Sequence, residues 1–148
     1  MDTTTLHPDF KELLKLFNEE SVEYLLIGSY AVGVHGYPRG TVDMDIWIAV
    51  NPANADRVMR ALNSFGFGNV VNREWFLDPK KIVRMGVPPY RIEISTEISG
   101  VTFEECYPRR VSAVVDGIPT KVISLPDLRI NKRAAGRDKD LNDLKNLP

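Results

Sequence analysis

Asp43 and Asp45 are the residues whose type and spacing most readily support chemistry. Two positions apart on an extended strand, they point to the same face, with backbone origins about 6.6 Å apart. Carboxylates at that spacing converge on one or two divalent ions. Two-metal phosphoryl-transfer sites hold their ions ~3.5–4 Å apart, one serving the attacking oxygen and one the leaving oxygen. Without a cation the two acids would repel each other. The alternative is a solvated sheet face on which both pair with lysines. Sixteen residues before Asp45 stands Ser29, where an apolar run ends at Gly28-Ser29 and helix-compatible residues follow. A strand-to-helix turn of this kind offers backbone N–H groups and a positive dipole end to phosphate, and glycine permits close approach. Ser29 would equally serve as an ordinary N-cap. Glu93 adds a third carboxylate on a strand whose Ile92 and Ile94 point inward; otherwise it is simply an exposed acid.

Positioning these groups requires alternating elements. Phe10, Leu13, Leu14 and Phe17 predict an amphipathic helix over 9–18, and Val22 to Ile27 a short strand. Ser29 caps a helix to about Gly36. A turn at Pro38-Arg39-Gly40 leads to a strand over 42–50, with Val42, Met44, Ile46 and Ile48 on its core face. Asp43, Asp45 and Trp47 share the other face, where Trp47 either stacks a base or packs. A helix follows over 52–65. Strands over 81–85 and 90–95 flank a Gly-Val-Pro-Pro turn, and a short helix covers 102–107. Asp116-Gly117 joins strands 111–115 and 118–123 as a hairpin. Helices over 125–135 and 138–147 break at Gly136. The pattern predicts a mixed α/β (α+β) domain, a mixed sheet packed against helices.

Composition narrows the functional classes. The 148 residues are 43% hydrophobic and 26% charged, which suits one folded domain over 1–148 rather than a disordered or fibrous chain. No apolar run approaches the ~20 residues of a membrane span, and the N-terminus has no signal-peptide pattern. The one cysteine, Cys106, precludes an internal disulfide, and with two histidines it makes a structural zinc site a poor fit. A cytoplasmic protein with no membrane contact is expected. Net charge is −1, unlike an obligate nucleic-acid binder, yet residues 129–148 carry +3 against −4 elsewhere. A basic C-terminal helix facing a phosphate-bearing ligand is one reading; a solvated face with i,i+4 pairs is the other.

The run Leu26-Ile27-Gly28-Ser29-Tyr30-Ala31, followed by His35-Gly36-Tyr37-Pro38-Arg39-Gly40-Thr41-Val42-Asp43-Met44-Asp45-Ile46, resembles the signature of the nucleotidyltransferase superfamily. That superfamily has a polymerase-beta-like core and the pattern Gly-[Gly/Ser], helix, Arg-x-Thr-x-Asp-x-Asp, then an acid on a later strand. The tail, from Leu125-Pro126-Asp127-Leu128 through Lys132 to Ala135-Gly136-Arg137-Asp138-Lys139-Asp140-Leu141 and Asp143-Leu144, is similar to the C-terminal motif of AbiEii-type toxins. The resemblance implies that Gly28 and Ser29 hold nucleotide phosphates, and that Arg39 reaches the triphosphate. It implies that Asp43 and Asp45 bind magnesium or manganese, with Glu93 as third metal carboxylate or general base. From the AbiEii-like branch it implies that Lys132 contacts the nucleotide and Asp140 joins the active site, so that 125–148 form a helical pair completing it. Glu93 stands where Asp is commoner, and the turn is Gly-Ser where many relatives have Gly-Gly. The implied activity is transfer of a nucleoside monophosphate from a nucleoside triphosphate to a small molecule, an RNA end or a protein, with an antitoxin as partner in a toxin–antitoxin or defence setting. The rival is a catalytically silent nucleotide- or partner-binding module of the same fold.

Overall fold

The computed structural model describes residues 5–38, 42–87 and 89–148. Helix α1 (Pro8–Glu19) buries Phe10, Leu13, Leu14 and Phe17, the stripe that its periodicity marks. Burying a side chain of this size contributes roughly 1.5–3 kcal/mol, which far outweighs the small propensity differences along the helix. Strand β1 (Tyr24–Ile27) is buried throughout and runs straight into α2 (Gly28–Val34). Strand β2 (Asp43–Ile48) carries the two acids, and α3 (Pro52–Phe65) follows. The Asn51 side chain caps α3 by accepting from the Asn54 N–H at 2.8 Å. A 3₁₀ segment, Arg73–Leu77, leads to β3 (Ile82–Met85) and β4 (Arg91–Ser95).

The single turn α4 (Phe103–Cys106) continues as a 3₁₀ turn to Arg109, longer than the expected helix. Strands β5 (Val111–Val115) and β6 (Ile118–Val122) meet at Asp116-Gly117, both with positive φ (47° and 78°), as a two-residue hairpin turn demands. Helices α5 (Leu125–Ala135) and α6 (Asp138–Asn146) close the described chain, with Gly136 between them at φ 65°.

The six strands form one mixed sheet in the order β3-β4-β2-β1-β6-β5. Pairs β2/β4 and β1/β6 are parallel and the others antiparallel. Tyr24, Leu26, Met44, Ile46, Ile48, Ile92 and Ile94 share one face, beneath α1 and α3, with the Phe17 and Tyr24 rings 5.7 Å apart. Buried Asn54 fastens α3 to the sheet by accepting from Glu23 N–H at 2.8 Å and donating to the Ala49 carbonyl at 2.8 Å. The other face carries Asp45, Trp47 and Glu93. The mixed sheet-and-helix architecture expected from the sequence is the one observed.

Two local expectations need correction, and the choice left open at Trp47 is decided. Val42 lies before β2 and is 42% exposed, so it is not a core residue. Ile27, extended at φ −127°, takes the N-cap position of α2, and Ser29 lies within the first turn instead. Trp47 is only 1% exposed; its ring stands edge-on to Phe103 with centroids 5.2 Å apart, and its N–H donates to the Thr96 carbonyl at 3.3 Å. Its role is packing, and no face is open to a base. His35 is likewise structural, its Nε2 lying 2.7 Å from the Ile123 carbonyl oxygen.

Candidate functional site

One row of side chains crosses the sheet. Register sets Arg84 of β3 beside Glu93 of β4, Glu93 beside Asp45 of β2, and Asp45 beside Ile27 at the end of β1. Pleating puts all of them on the face away from α1 and α3. Asp43 shares that face one pleat away from Asp45, opposite Arg91. The parallel β2/β4 pairing therefore makes Asp45 and Glu93 immediate neighbours, although nearly fifty residues separate them in sequence.

Beside this row the chain turns from β1 into α2. Gly28 adopts φ 67°, and a Cβ on it would overlap Asp45 Oδ2 and lie 3.0 Å from Asp45 Cβ and Cγ. Glycine is required there twice over, by the backbone conformation and by the carboxylate seated against it. The phosphate-type turn and the β2 carboxylate of Asp45 are thus in van der Waals contact.

Asp45 is pushed up from 3.8 to about 7, first by burial, then by the Glu93 charge and a hydrogen bond shared with Glu93, and further by Asp43. Lys139 pulls weakly the other way. Asp45 is thereby brought to exchange its proton near neutral pH. Glu93 is also paired outward, with Arg84 Nε donating to its Oε1 at 3.0 Å.

Facing the acids is the α5–α6 corner. An open cleft of ≈ 360 Å³ is lined on the sheet side by Gly28, Asp45 and Glu93 and on the helix side by Lys132, Arg137 and Lys139. Helix α5 is held over the sheet at two points. Arg109 donates to both Asp127 oxygens at 3.0 Å, and Asn131 donates to the Ser99 carbonyl at 2.9 Å. Burial pushes the Asp127 carboxyl up, but hydrogen bonds from Arg109 and Ser124 outweigh it and hold the group below the usual range. Cys106 stands beside this pair, and burial, reinforced by Asp127, pushes its thiol up to about 12.

The tail residues form a buried ionic cluster beside the cleft. The Lys132 side chain is 5% exposed, its ammonium lying 3.1 Å from Asp140 Oδ1 and 3.0 Å from Asp143 Oδ2. Asp140 is fully buried and accepts from the Arg137 backbone N–H at 3.2 Å, its Nε at 2.7 Å and its Nη2 at 3.3 Å. Burial pushes the Asp140 carboxyl up, but Arg137 and Lys132 outweigh that and depress it.

Of the residues singled out from the sequence, Gly28, Asp45, Glu93 and Lys132 line one cleft. Asp43 adjoins them on the same face, and Ser29 is half-buried in the first turn of α2. Asp140 lies behind the cleft wall, bonded to Lys132 and Arg137. Arg39 falls outside the described residues. Among the described residues, no group of three or more His, Cys, Asp or Glu side chains stands in an arrangement that could hold a metal ion. Arg84, Arg137 and Lys139 were not singled out as site residues. The charge excess of the tail marked the last two in general terms, whereas Arg84 became visible only through cross-strand register.

The profile of a family described as "Nucleotidyltransferase of unknown function (DUF6036)" matches residues 4–147. Among curated proteins, none matches this sequence. Among solved structures, a protein from Thermotoga maritima described as a nucleotidyltransferase is 14% identical, with 97% of this chain and 94% of that one covered at a TM-score of 0.61. The lincosamide antibiotic adenylyltransferase LnuA, solved with lincomycin bound, is 16% identical, with 97% of each chain covered at 0.58. The antibiotic-resistance factor ANT(2'')-Ia is 8% identical, with 93% of this chain and 79% of that one covered at 0.60. At such identities the likeness is one of fold.

Proposed function

The chain belongs to this nucleotidyltransferase family, and from that premise we propose that it moves a nucleoside monophosphate from a nucleoside triphosphate to an acceptor hydroxyl or similar group. The observation that carries the reading is the cleft with acids on its sheet side and cations on its helix side, meeting at the Gly28 turn. A polyphosphate alone would be repelled by Asp43, Asp45 and Glu93. With a divalent cation against those acids the repulsion becomes attraction, and the helix-side cations take the remaining phosphate charge.

The donor set fits magnesium or manganese. It consists of carboxylate oxygens alone, the ligands that hard divalent cations prefer, and the Glu93 and Asp43 charges that add to burial in raising Asp45 are what a cation would offset. The three carboxylates are not gathered round one point in this structure; Asp45 and Glu93, adjacent across β2 and β4, would hold the cation with Asp43 turned toward them, and when bound it would supply charge neutralisation at the reacting phosphate. The Gly28-Ser29 turn holds phosphate oxygens through backbone N–H groups, and Glu93, where its carboxylate is not taken up as the third metal ligand, is the base that takes the proton of the attacking acceptor. One P–O bond forms to the acceptor as the bond to pyrophosphate breaks, and pyrophosphate departs toward Arg137 and Lys139.

Two acceptor classes have support. Fold neighbours that act on antibiotics favour a small hydroxyl-bearing molecule. The tail's similarity to AbiEii-type toxins favours an RNA end or a protein, with an antitoxin as partner. Incubating the protein with each α-phosphate-labelled ribonucleotide, magnesium and separated small-molecule, RNA and protein fractions decides among them. Label should enter one fraction, and Asp45→Asn should abolish the transfer. Binding of nucleotide without transfer to any fraction would leave the silent-module reading in its place.

A further inference from the structure

The α5–α6 corner combines a buried ionic cluster with two cations on the cleft wall, and the division of labour between them differs from the one that the resemblance implies. Lys132 points its ammonium at two carboxylates and is almost wholly buried, so its charge is already matched. Asp140 is saturated, holding Lys132 on one oxygen and the fork of Arg137 across both. Lys132 keeps at most one of its three N–H donors, on an ammonium that two carboxylates already neutralise, and Asp140, an anion, has no donor to offer a phosphate. Arg137 is the opposite case: its side chain is 63% exposed, it lines the cleft, and after Asp140 it feels the Asp45 and Glu93 charges across it. Asp140 engages its Nε and Nη2 and so fixes the guanidinium plane, while a guanidinium has five N–H donors in all. Lys139 stands on the same wall and acts on Asp45.

We propose that Arg137 and Lys139 receive the β- and γ-phosphates of the bound nucleotide, and hence the departing pyrophosphate. Lys132 and Asp140 are positioning residues that hold Arg137 in place and touch no ligand. This rests on the nucleotidyltransferase reading of the same cleft. The physical reason is preorganisation: an arginine already pinned by a buried carboxylate presents its remaining donors without first losing rotamer freedom. The end of the nucleotide with the most negative charge belongs on the wall away from the acidic floor. A nucleoside monophosphate, which lacks that end, gains nothing from the wall.

Calorimetry with magnesium, using a triphosphate, its monophosphate and inorganic pyrophosphate as separate probes, tests the division. Arg137→Gln and Lys139→Gln should each weaken triphosphate and pyrophosphate binding about tenfold or more, with monophosphate affinity unchanged within about twofold. Asp140→Asn should do the same although it contacts no ligand, and the Arg137→Gln/Asp140→Asn double variant should bind no more weakly than Arg137→Gln alone. If Asp140→Asn does not fold, Arg137→Lys decides. It keeps the charge on an exposed side chain but loses the fork, and should still weaken pyrophosphate binding. Wild-type affinity in Arg137→Gln or in Arg137→Lys overturns the proposal, as does an equal loss for triphosphate and monophosphate in Asp140→Asn. A wild-type protein that binds none of the three probes overturns the nucleotidyltransferase reading as well.

Discussion

Replacing Gly28 by alanine perturbs the site by one methyl group, and the structure separates its two consequences. At φ 67° an L-residue pays left-handed strain of about 1–2 kcal/mol. The new Cβ would also overlap Asp45 Oδ2, so the carboxylate must swing away or the turn must open. Gly117 provides the control: its φ is 78°, yet a Cβ there meets nothing within 4 Å. Gly117→Ala should therefore lose about 1–2 kcal/mol in urea unfolding and keep nucleotide binding intact. Gly28→Ala should lose at least as much stability and, in addition, at least about tenfold in magnesium-dependent triphosphate affinity, because Asp45 leaves its place. Equal stability losses with nucleotide affinity unchanged in both variants would show that the Gly28–Asp45 contact does not organise the site.

Further outcomes follow from the buried charges. Asp45 is raised in the folded state, so its contribution is fully present below about pH 4 and is lost as pH rises toward 7. At ~1.4 kcal/mol per pH unit the ceiling is about 4 kcal/mol, less for a carboxyl that is only partly enclosed. Urea midpoints between pH 4 and 8 should fall with pH in the wild type and flatten in Asp45→Asn; parallel profiles would contradict the placement of that carboxyl. Lys132→Met leaves Asp140 and Asp143 without their shared ammonium and should cost about 3–5 kcal/mol, whereas a loss under ~1 kcal/mol would show the cluster to be solvated. Cys106, buried with its thiol pushed up to about 12, should resist alkylation at pH 8 until the protein is unfolded, and rapid native labelling would be inconsistent with its burial.

Elements with local signals were legible in the sequence. The bounds of α3 follow from Asn51-Pro52 at one end and Gly66, at φ 94°, at the other. Those of α5 follow from Ser124, which caps through Asp127 N–H at 3.3 Å, and Gly136. The Asp116-Gly117 hairpin was equally plain. Of the site, alternation along β2 and β4 placed Asp45 and Glu93 on non-core faces, but only strand pairing shows that they are adjacent and that Arg84 comes next. In α6 the hydrophobic pattern misleads. Leu141 is 44% exposed while Asp140 and Asp143 are buried, because Lys132 and Arg137 arrive from outside the helix to match their charge. No pattern within one element records a partner supplied by another. The 3₁₀ segment Arg73–Leu77 has no periodicity by which to be recognised.

The most direct measurement is calorimetric titration of the protein with each ribonucleoside triphosphate, with and without magnesium, in the wild type and in Asp45→Asn. Saturable binding of at least one triphosphate to the wild type, lost on removing the cation and lost again in Asp45→Asn, is the expected result. Binding that is indifferent to both the cation and Asp45, or no binding under any condition, would contradict a metal-dependent nucleotide site in this cleft.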